Sequence, residues 1–284
     1  MAVITSSNVA NAITKLVAAD VLPALMGNLV MGNLVSRDYE PTVAQIGDHI
    51  AVPIPSLGEA EIELSTHAEA SFLVPDITKV LAVPDLLALY MQPAVVALAE
   101  KIETDLLALY DQFTVNTSLG AASEPITEVQ IDAAGATLFQ AKVAASQPKY
   151  LVVDANAYSV LRRVPCWCEY DTAGEAGLRS LVDGSIGQIR DFFVFRSQYV
   201  AKTGSNPAAT HNLAFSKDAI CVAIRRLPKP LPGSGTISEY SELGNFGMRV
   251  TMEYRPNTLA QQFTIAVLYG CRVLRPDHGV EITT

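Results

Sequence analysis

The first thirty residues place apolar side chains at helical intervals. Val9, Ile13, Leu16, Val17, Val21 and Leu25 recur between Asn8 and Leu25, and Ser7 stands where a side chain can cap the first turn, so the pattern predicts an amphipathic N-terminal arm. A direct repeat follows, Met26-Gly-Asn-Leu-Val30 and then Met31-Gly-Asn-Leu-Val35. This is far shorter than any solenoid period, so it reads as a local duplication in an extended or broken-helix stretch. Between Asp48 and Ser65 the period changes to two. Ile50, Val52 and Ile54 alternate with His49, Ala51 and Pro53, and Ala60, Ile62 and Leu64 alternate with Glu59, Glu61 and Glu63. That predicts a two-stranded hairpin turned at Pro55-Ser-Leu-Gly58. The prolines in its first strand suit an edge or a projecting ribbon.

The clearest helical stripe runs from Pro93 to Phe113, where Val95, Leu98, Ile102, Leu106, Leu109 and Phe113 share a face and Glu100, Lys101, Glu103 and Asp105 fill the other. Pro93 fits a first turn, or lies inside the helix if that begins near Asp85. Thr127-Glu-Val-Gln130 is a capping-box pattern opening a helix with Ile131, Ala134, Leu138, Ala141 and Ala145 on one face. A buried strand at Tyr150–Val153 comes next, then Asp154 as the cap of a helix over Ala155–Val164. Asp171–Val200, punctuated by Gly174, Gly177, Gly184 and Gly187, reads as a separate lobe ending in a strand at Phe192–Phe195. Strands dominate from Asn212 onward, at Ile220–Ile224, Met248–Tyr254, Phe263–Tyr269 and Val280–Ile282. Helices and strands come in blocks, which is the signature of an α+β fold.

Composition narrows the function. With 284 residues the chain makes one large domain or two modest ones. Charged residues are 17% of the chain and apolar ones 50%, lean in charge for a free-standing monomer, so burial of surface between subunits is expected. The net charge of −9 disfavours wrapping of nucleic-acid phosphates or anionic lipid. It is unevenly spread: −6 over residues 1–79, −5 over 80–150 and +2 over 151–284, a distribution suited to head-to-tail packing of identical copies. The longest apolar run, Leu86–Ala99, is too short to span a bilayer.

The usual sites are missing from the pattern. No GxGxxG or GxxxxGK[ST] spacing occurs, and Gly233-Ser-Gly235 lies in a Pro/Gly loop without the spacing of a nucleophile elbow. His49, His67, His211 and His278 are dispersed, and Cys166-Trp-Cys168 lacks both the spacing and the second pair of a zinc site. Cys221 and Cys271 stand apart, as in a reducing compartment. Glu103 and Asp105 are two apart on a helix and do not face each other. No catalytic residue, metal or cofactor is therefore expected.

Several segments in succession resemble one family. Leu34-Val-Ser-Arg-Asp-Tyr-Glu40, Ile46-Gly-Asp48 and Val52-Pro-Ile-Pro55 look like an N-terminal arm running into an extended loop. Ala97-Leu-Ala-Glu-Lys-Ile-Glu-Thr-Asp-Leu106 resembles a spine helix. Gly184-Ser-Ile-Gly187 through Phe193-Val-Phe-Arg-Ser197 looks like an axial-domain segment, and Asn212-Leu-Ala-Phe-Ser-Lys-Asp-Ala219, Val267-Leu-Tyr-Gly270 and Leu274-Arg-Pro276 look like closing strands. Together they resemble the major capsid (coat) proteins of tailed bacteriophages, with the HK97-like fold, and within these the podophage coat proteins.

The resemblance implies an arm over 1–45, an extended hairpin loop over 46–80, the spine helix and peripheral domain over 81–170, an axial segment over 171–211 and closing strands over 212–284. It implies a structural protein of the virion capsid, assembled in the host bacterial cytoplasm as pentamers and hexamers around double-stranded DNA. No sequence-specific DNA contact and no membrane are implied; a separate scaffolding protein and a portal are. Some relatives crosslink through a lysine on the loop, but no lysine occurs between Lys15 and Lys79. The alternatives are a cellular nanocompartment shell of the encapsulin kind and an enzyme with an unrecognised site. On the shell reading, the arm and hairpin bury their apolar faces on neighbouring subunits. The expected contact residues are Ile50, Val52, Ile54, Ile62 and Leu64 on the hairpin, and Val9, Ile13 and Leu16 on the arm. Ile62→Asp would then leave the subunit folded but unable to assemble.

Overall fold

The computed structural model describes residues 6–37, 49–54, 58–76, 86–113, 117–164, 186–204, 208–225, 227–230, 235–243 and 246–284. The chain divides into two compact units. Met1–Leu29, Arg37–Ile102 and Val222–Cys271 form the first, and Val30–Ser36, Glu103–Cys221 and Arg272–Thr284 the second.

In the first unit, helix α1 (Ser6–Asn28) lies against strands β11 (Ile237–Leu243) and β12 (Phe246–Arg255). Its buried stripe is Val17, Val21, Leu22 and Leu25. At about 1.5–3 kcal/mol for each aliphatic side chain, that burial is ample to dock a helix carrying Pro23. The repeat gives a broken helix, since α1 stops at Asn28 and a single turn, α2 (Met31–Leu34), follows. The hairpin forms as its alternation requires: β1 (His49–Ile54) and β2 (Gly58–Glu63) pair antiparallel, with Ile50 opposite Ile62 and Val52 opposite Ala60. Pro55, Ser56 and Leu57 of its turn lie outside the described residues.

A strand absent from the sequence reading, β3 (Thr66–Pro75), pairs along β13 (Ala260–Val273) from Thr66 opposite Tyr269 to Pro75 opposite Ala260. The sheet order is β10 (Ile220–Arg225), β13, β12, β11. Ile237, Met252, Phe263 and Phe72 stand opposite one another in turn across β11, β12, β13 and β3, one apolar row over four strands. Phe72 and Phe263 stack with ring centres 5.4 Å apart. At Gly270 a side chain would meet the Glu63 carbonyl at 2.1 Å, so this glycine lets the end of the hairpin pass against β13.

Helix α3 (Leu86–Leu107) begins before Pro93, which therefore lies inside it, and a 3-10 turn over Ala108–Gln112 extends it. The whole stripe from Val95 to Phe113 is buried, as its spacing requires.

The second unit is built on one sheet in the order β4 (Leu119–Gly120), β14 (Gly279–Thr283), β9 (Ala209–Ser216), β5 (Lys149–Val153), β7 (Phe192–Arg196), β6 (Gln188–Ile189), with β8 (Lys202–Thr203) on β9. Helices α4 (Glu128–Gln140) and α5 (Ala155–Leu161) share a core with it. Ile131, Ala134 and Leu138 of α4 and Ala157, Tyr158 and Leu161 of α5 pack with Leu151, Val153, Phe192, Val194 and Ile282.

Both predicted caps form. Thr127 and Gln130 exchange side-chain and backbone bonds at 3.4 and 2.8 Å, and Asp154 Oδ1 accepts the Ala157 N–H at 2.7 Å. The Phe192–Phe195 strand is not the end of a separate lobe. It pairs parallel with β5, as β4 does with β14, inside an otherwise blockwise α+β fold. Gly174, Gly177 and Gly184, and the Cys166/Cys168 pair, lie outside the described residues.

Candidate assembly surface

The expected contact residues divide into three groups. Val52, Ile62 and Leu64 are 0% exposed, covered by this chain itself. They have no area left for a neighbour, and this corrects the expectation that they form the anchoring face. For Ile62 the physical reason is the seat at Gly270, where its Cγ2 comes within 3.3 Å of the position an added Cβ would take. Ile50, at the start of the hairpin, is half-buried. The side chains of Ile54, Val9, Ile13 and Leu16 lie outside what is described. What β2 presents outward is its other face, where Glu61 and Glu63 are exposed. An edge marked by like charges discourages unplanned strand pairing while leaving the ladder available to one fitted partner.

Two further surfaces lie on the second unit. The outer face of α4 carries Val129 at 75% and Phe139 at 74% exposure. The sequence held the signal, because both residues lie off the Ile131–Ala134–Leu138 stripe. Phe193 and Phe195 alternate outward on β7 beside Tyr150, whose ring centre is 6.3 and 6.1 Å from theirs. Burial pushes the Tyr150 hydroxyl above its ordinary value. Exposed aromatics of this size are unusual on a free surface and common at interfaces.

A polar cluster that sequence spacing could not bring together also lies in the second unit. His211 is buried, its Nε2 is 2.6 Å from Thr203 Oγ1, and its Nδ1 faces Glu281 Oε1. Tyr110 stacks on the imidazole at 4.1 Å, and burial, aided by the charges of Glu281 and Asp111, raises the Tyr110 hydroxyl above its ordinary value. Thr283 Oγ1 donates to Glu281 at 2.8 Å and is itself 2.8 Å from Ser118 Oγ. Thr203, His211 and Glu281 thus have the order of a nucleophile, a base and its orienting carboxylate. The three residues lie on β8, β9 and β14 and link those strands. The described cavities of about 280, 320 and 410 Å³ are lined by other residues.

His278, buried beside Ser216, has its imidazole pushed below the ordinary value by burial and lines none of those cavities either. Among the described residues no three His, Cys, Asp or Glu side chains are grouped to hold a metal ion. Among them, too, no helix is long and apolar enough to cross a membrane.

Asn212 is the joint of this unit. Fully buried, it accepts the Asp154 N–H at 2.9 Å and donates to the Ile282 carbonyl at 3.2 Å and to Thr284 Oγ1 at 3.1 Å. One side chain thereby fixes the end of β5, the cap of α5 and the last strand.

No family model and no curated protein sequence matches the chain. Solved structures do. One from Mycobacterium phage Che8 superposes with a TM-score of 0.61 at 19% identity, covering 89% of this chain and 90% of that one. The capsid of Ralstonia phage GP4 gives 0.60 at 14% identity, covering 88% and 87%. The SrpI encapsulin complex from Synechococcus elongatus gives 0.50 at 10% identity, covering 86% and 84%. Over nearly its whole length the chain has the HK97-like fold of these phage-capsid and encapsulin structures.

Proposed function

We propose that this chain is the major capsid protein of a tailed bacteriophage, a structural subunit that assembles with copies of itself into an icosahedral shell around double-stranded DNA. The observation that carries the reading is the extent of the likeness: the Ralstonia phage capsid is matched over 88% of this chain at a TM-score of 0.60. The exposed apolar surfaces of α4 and β7 and the low fraction of charged residues support it independently, because both suit a subunit that buries surface on neighbours. In this reading the first unit, with the hairpin and most of α3, is the peripheral domain, and the second is the axial domain. Pentamers and hexamers form through heterologous contacts that close into rings.

The arm and hairpin make contacts between subunits through Ile50, Ile54, Val9, Ile13 and Leu16 and the glutamate face of β2. Val52, Ile62 and Leu64 hold the hairpin in shape. A separate scaffolding protein and a portal complete assembly in the host bacterial cytoplasm. The net charge of −9 suits a wall that encloses DNA without gripping particular sequences. The role assigns no catalysis and no cofactor.

The encapsulin match favours a second reading, a nanocompartment shell around an enzyme cargo, with the lower TM-score of 0.50. The contents of particles made in a bacterium carrying the complete neighbouring gene set decide between the two. Nuclease-protected double-stranded DNA of defined length supports the phage reading. Particles filled with one co-purifying protein and no DNA would overturn it in favour of the nanocompartment.

A further inference from the structure

Glu103 is a buried carboxylate placed where nothing in the shell reading calls for one. It belongs to α3 at the point where the chain enters the second unit, and it is 0% exposed. Its Oε1 accepts the Gly32 N–H at 3.2 Å, and its Oε2 is buried with no hydrogen-bond partner. The segment it holds, Val30–Ser36, belongs to the second unit, and the residues flanking it on both sides belong to the first. Apolar anchors seat that segment: Met31, Leu34 and Val35 are buried. Beyond them, the Ser36 N–H donates to the Ile220 carbonyl at 3.1 Å, and Ser36 bridges to Cys221 in parallel.

We propose that Glu103 is a proton-operated latch on the segment Val30–Ser36, seating it firmly when the carboxyl is neutral and loosening it when the carboxyl ionises. An ionised carboxylate with one unpaired oxygen in a dry site carries a desolvation cost that the neutral acid avoids. The backbone N–H groups of Val30, Met31 and Gly32 offset part of that cost, and burial outweighs them, so Glu103 sits above the ordinary glutamate value of 4.5.

No charged side chain among the described residues contributes. Val30–Ser36 carries no acidic or basic residue, and the strand it bridges offers only the buried Cys221 thiol at that point. On its own helix the neighbouring titratable groups are Glu100 and Lys101, both exposed, and Asp105, half-buried. The sign follows. The closed form binds the proton more tightly than the opened one, so the latch is strongest in acid and weakens as pH rises above 4.5 through the closed-form value.

Hydrogen exchange of the full chain, followed by mass spectrometry and corrected for intrinsic rates, tests this directly. In the wild type, the opening constant of the peptide spanning Val30–Ser36 rises severalfold from pH 4.5 to neutral, while the peptide spanning β5 in the same unit does not rise with it. Glu103→Gln keeps an acceptor for Gly32 but has no proton to lose, so its opening constant is flat with pH. A wild-type profile that is flat, or that rises in parallel for both peptides, overturns the latch even if the variant fails to fold. An unchanged slope in Glu103→Gln overturns it as well.

Discussion

One position is fixed to a single residue type by the close approach of a ring to the backbone. At Gly279 an added Cβ would lie 2.3 Å from the buried Phe113 ring. Gly279→Ala is therefore expected to cost about 1–3 kcal/mol by overpacking, read as a lower urea midpoint with unchanged slope. An equal midpoint would show that the ring has room to move. Thr127→Ala removes one half of the capping box of α4 and should cost about 1 kcal/mol. His278 gives acid sensitivity of opposite sign to Glu103. Its native form resists protonation, so the unfolded chain binds more protons as pH falls below 6.5, and stability drops with it. Denaturation midpoints of His278→Gln should fall less than those of the wild type between neutral pH and that acid range. Equal losses would remove His278 as the cause.

At the scale of elements, the role proposed for the hairpin separates folding from assembly. Because Ile62 is fully covered by its own chain, Ile62→Asp should destabilise the first unit, seen as lost solubility or a broadened melt, rather than yield a folded subunit that fails to assemble. The opposite face gives the complementary experiment: Glu63→Lys should leave the melt of the subunit within about 0.5 kcal/mol and reduce assembly. Full assembly of that variant would take the contact away from this face.

The elements themselves were legible wherever one period dominated. The α3 stripe, the capping box, the Asp154 cap and the hairpin all stand where their spacing put them. Strand β3 gives a weaker signal although its burial alternates, because two of its inner positions are the small residues Ala68 and Ala70 and the outer face carries Leu73. The grouping of elements into units was not legible, since the pairing of β7 with β5 joins residues some forty positions apart. The covering of Ile62 was hidden for the same reason: it depends on Gly270, more than two hundred residues away.

For the whole molecule, the central claim is that copies of this chain close into a shell. Fold likeness over 88–89% of the chain with phage structures supplies the architecture, and the exposed Val129, Phe139, Phe193 and Phe195 supply surface in need of partners. The cluster around His211 has the order of a hydrolytic arrangement and links three strands. His211→Gln should accordingly lower the stability of the second unit, and wild-type stability in that variant would reopen a chemical role. The most direct measurement is negative-stain microscopy with light scattering on the purified chain, expressed alone and with a neighbouring scaffold-like gene product. The account expects closed shells, or rings of five and six copies, under at least one of the two conditions. A monodisperse monomer or dimer under both would contradict it.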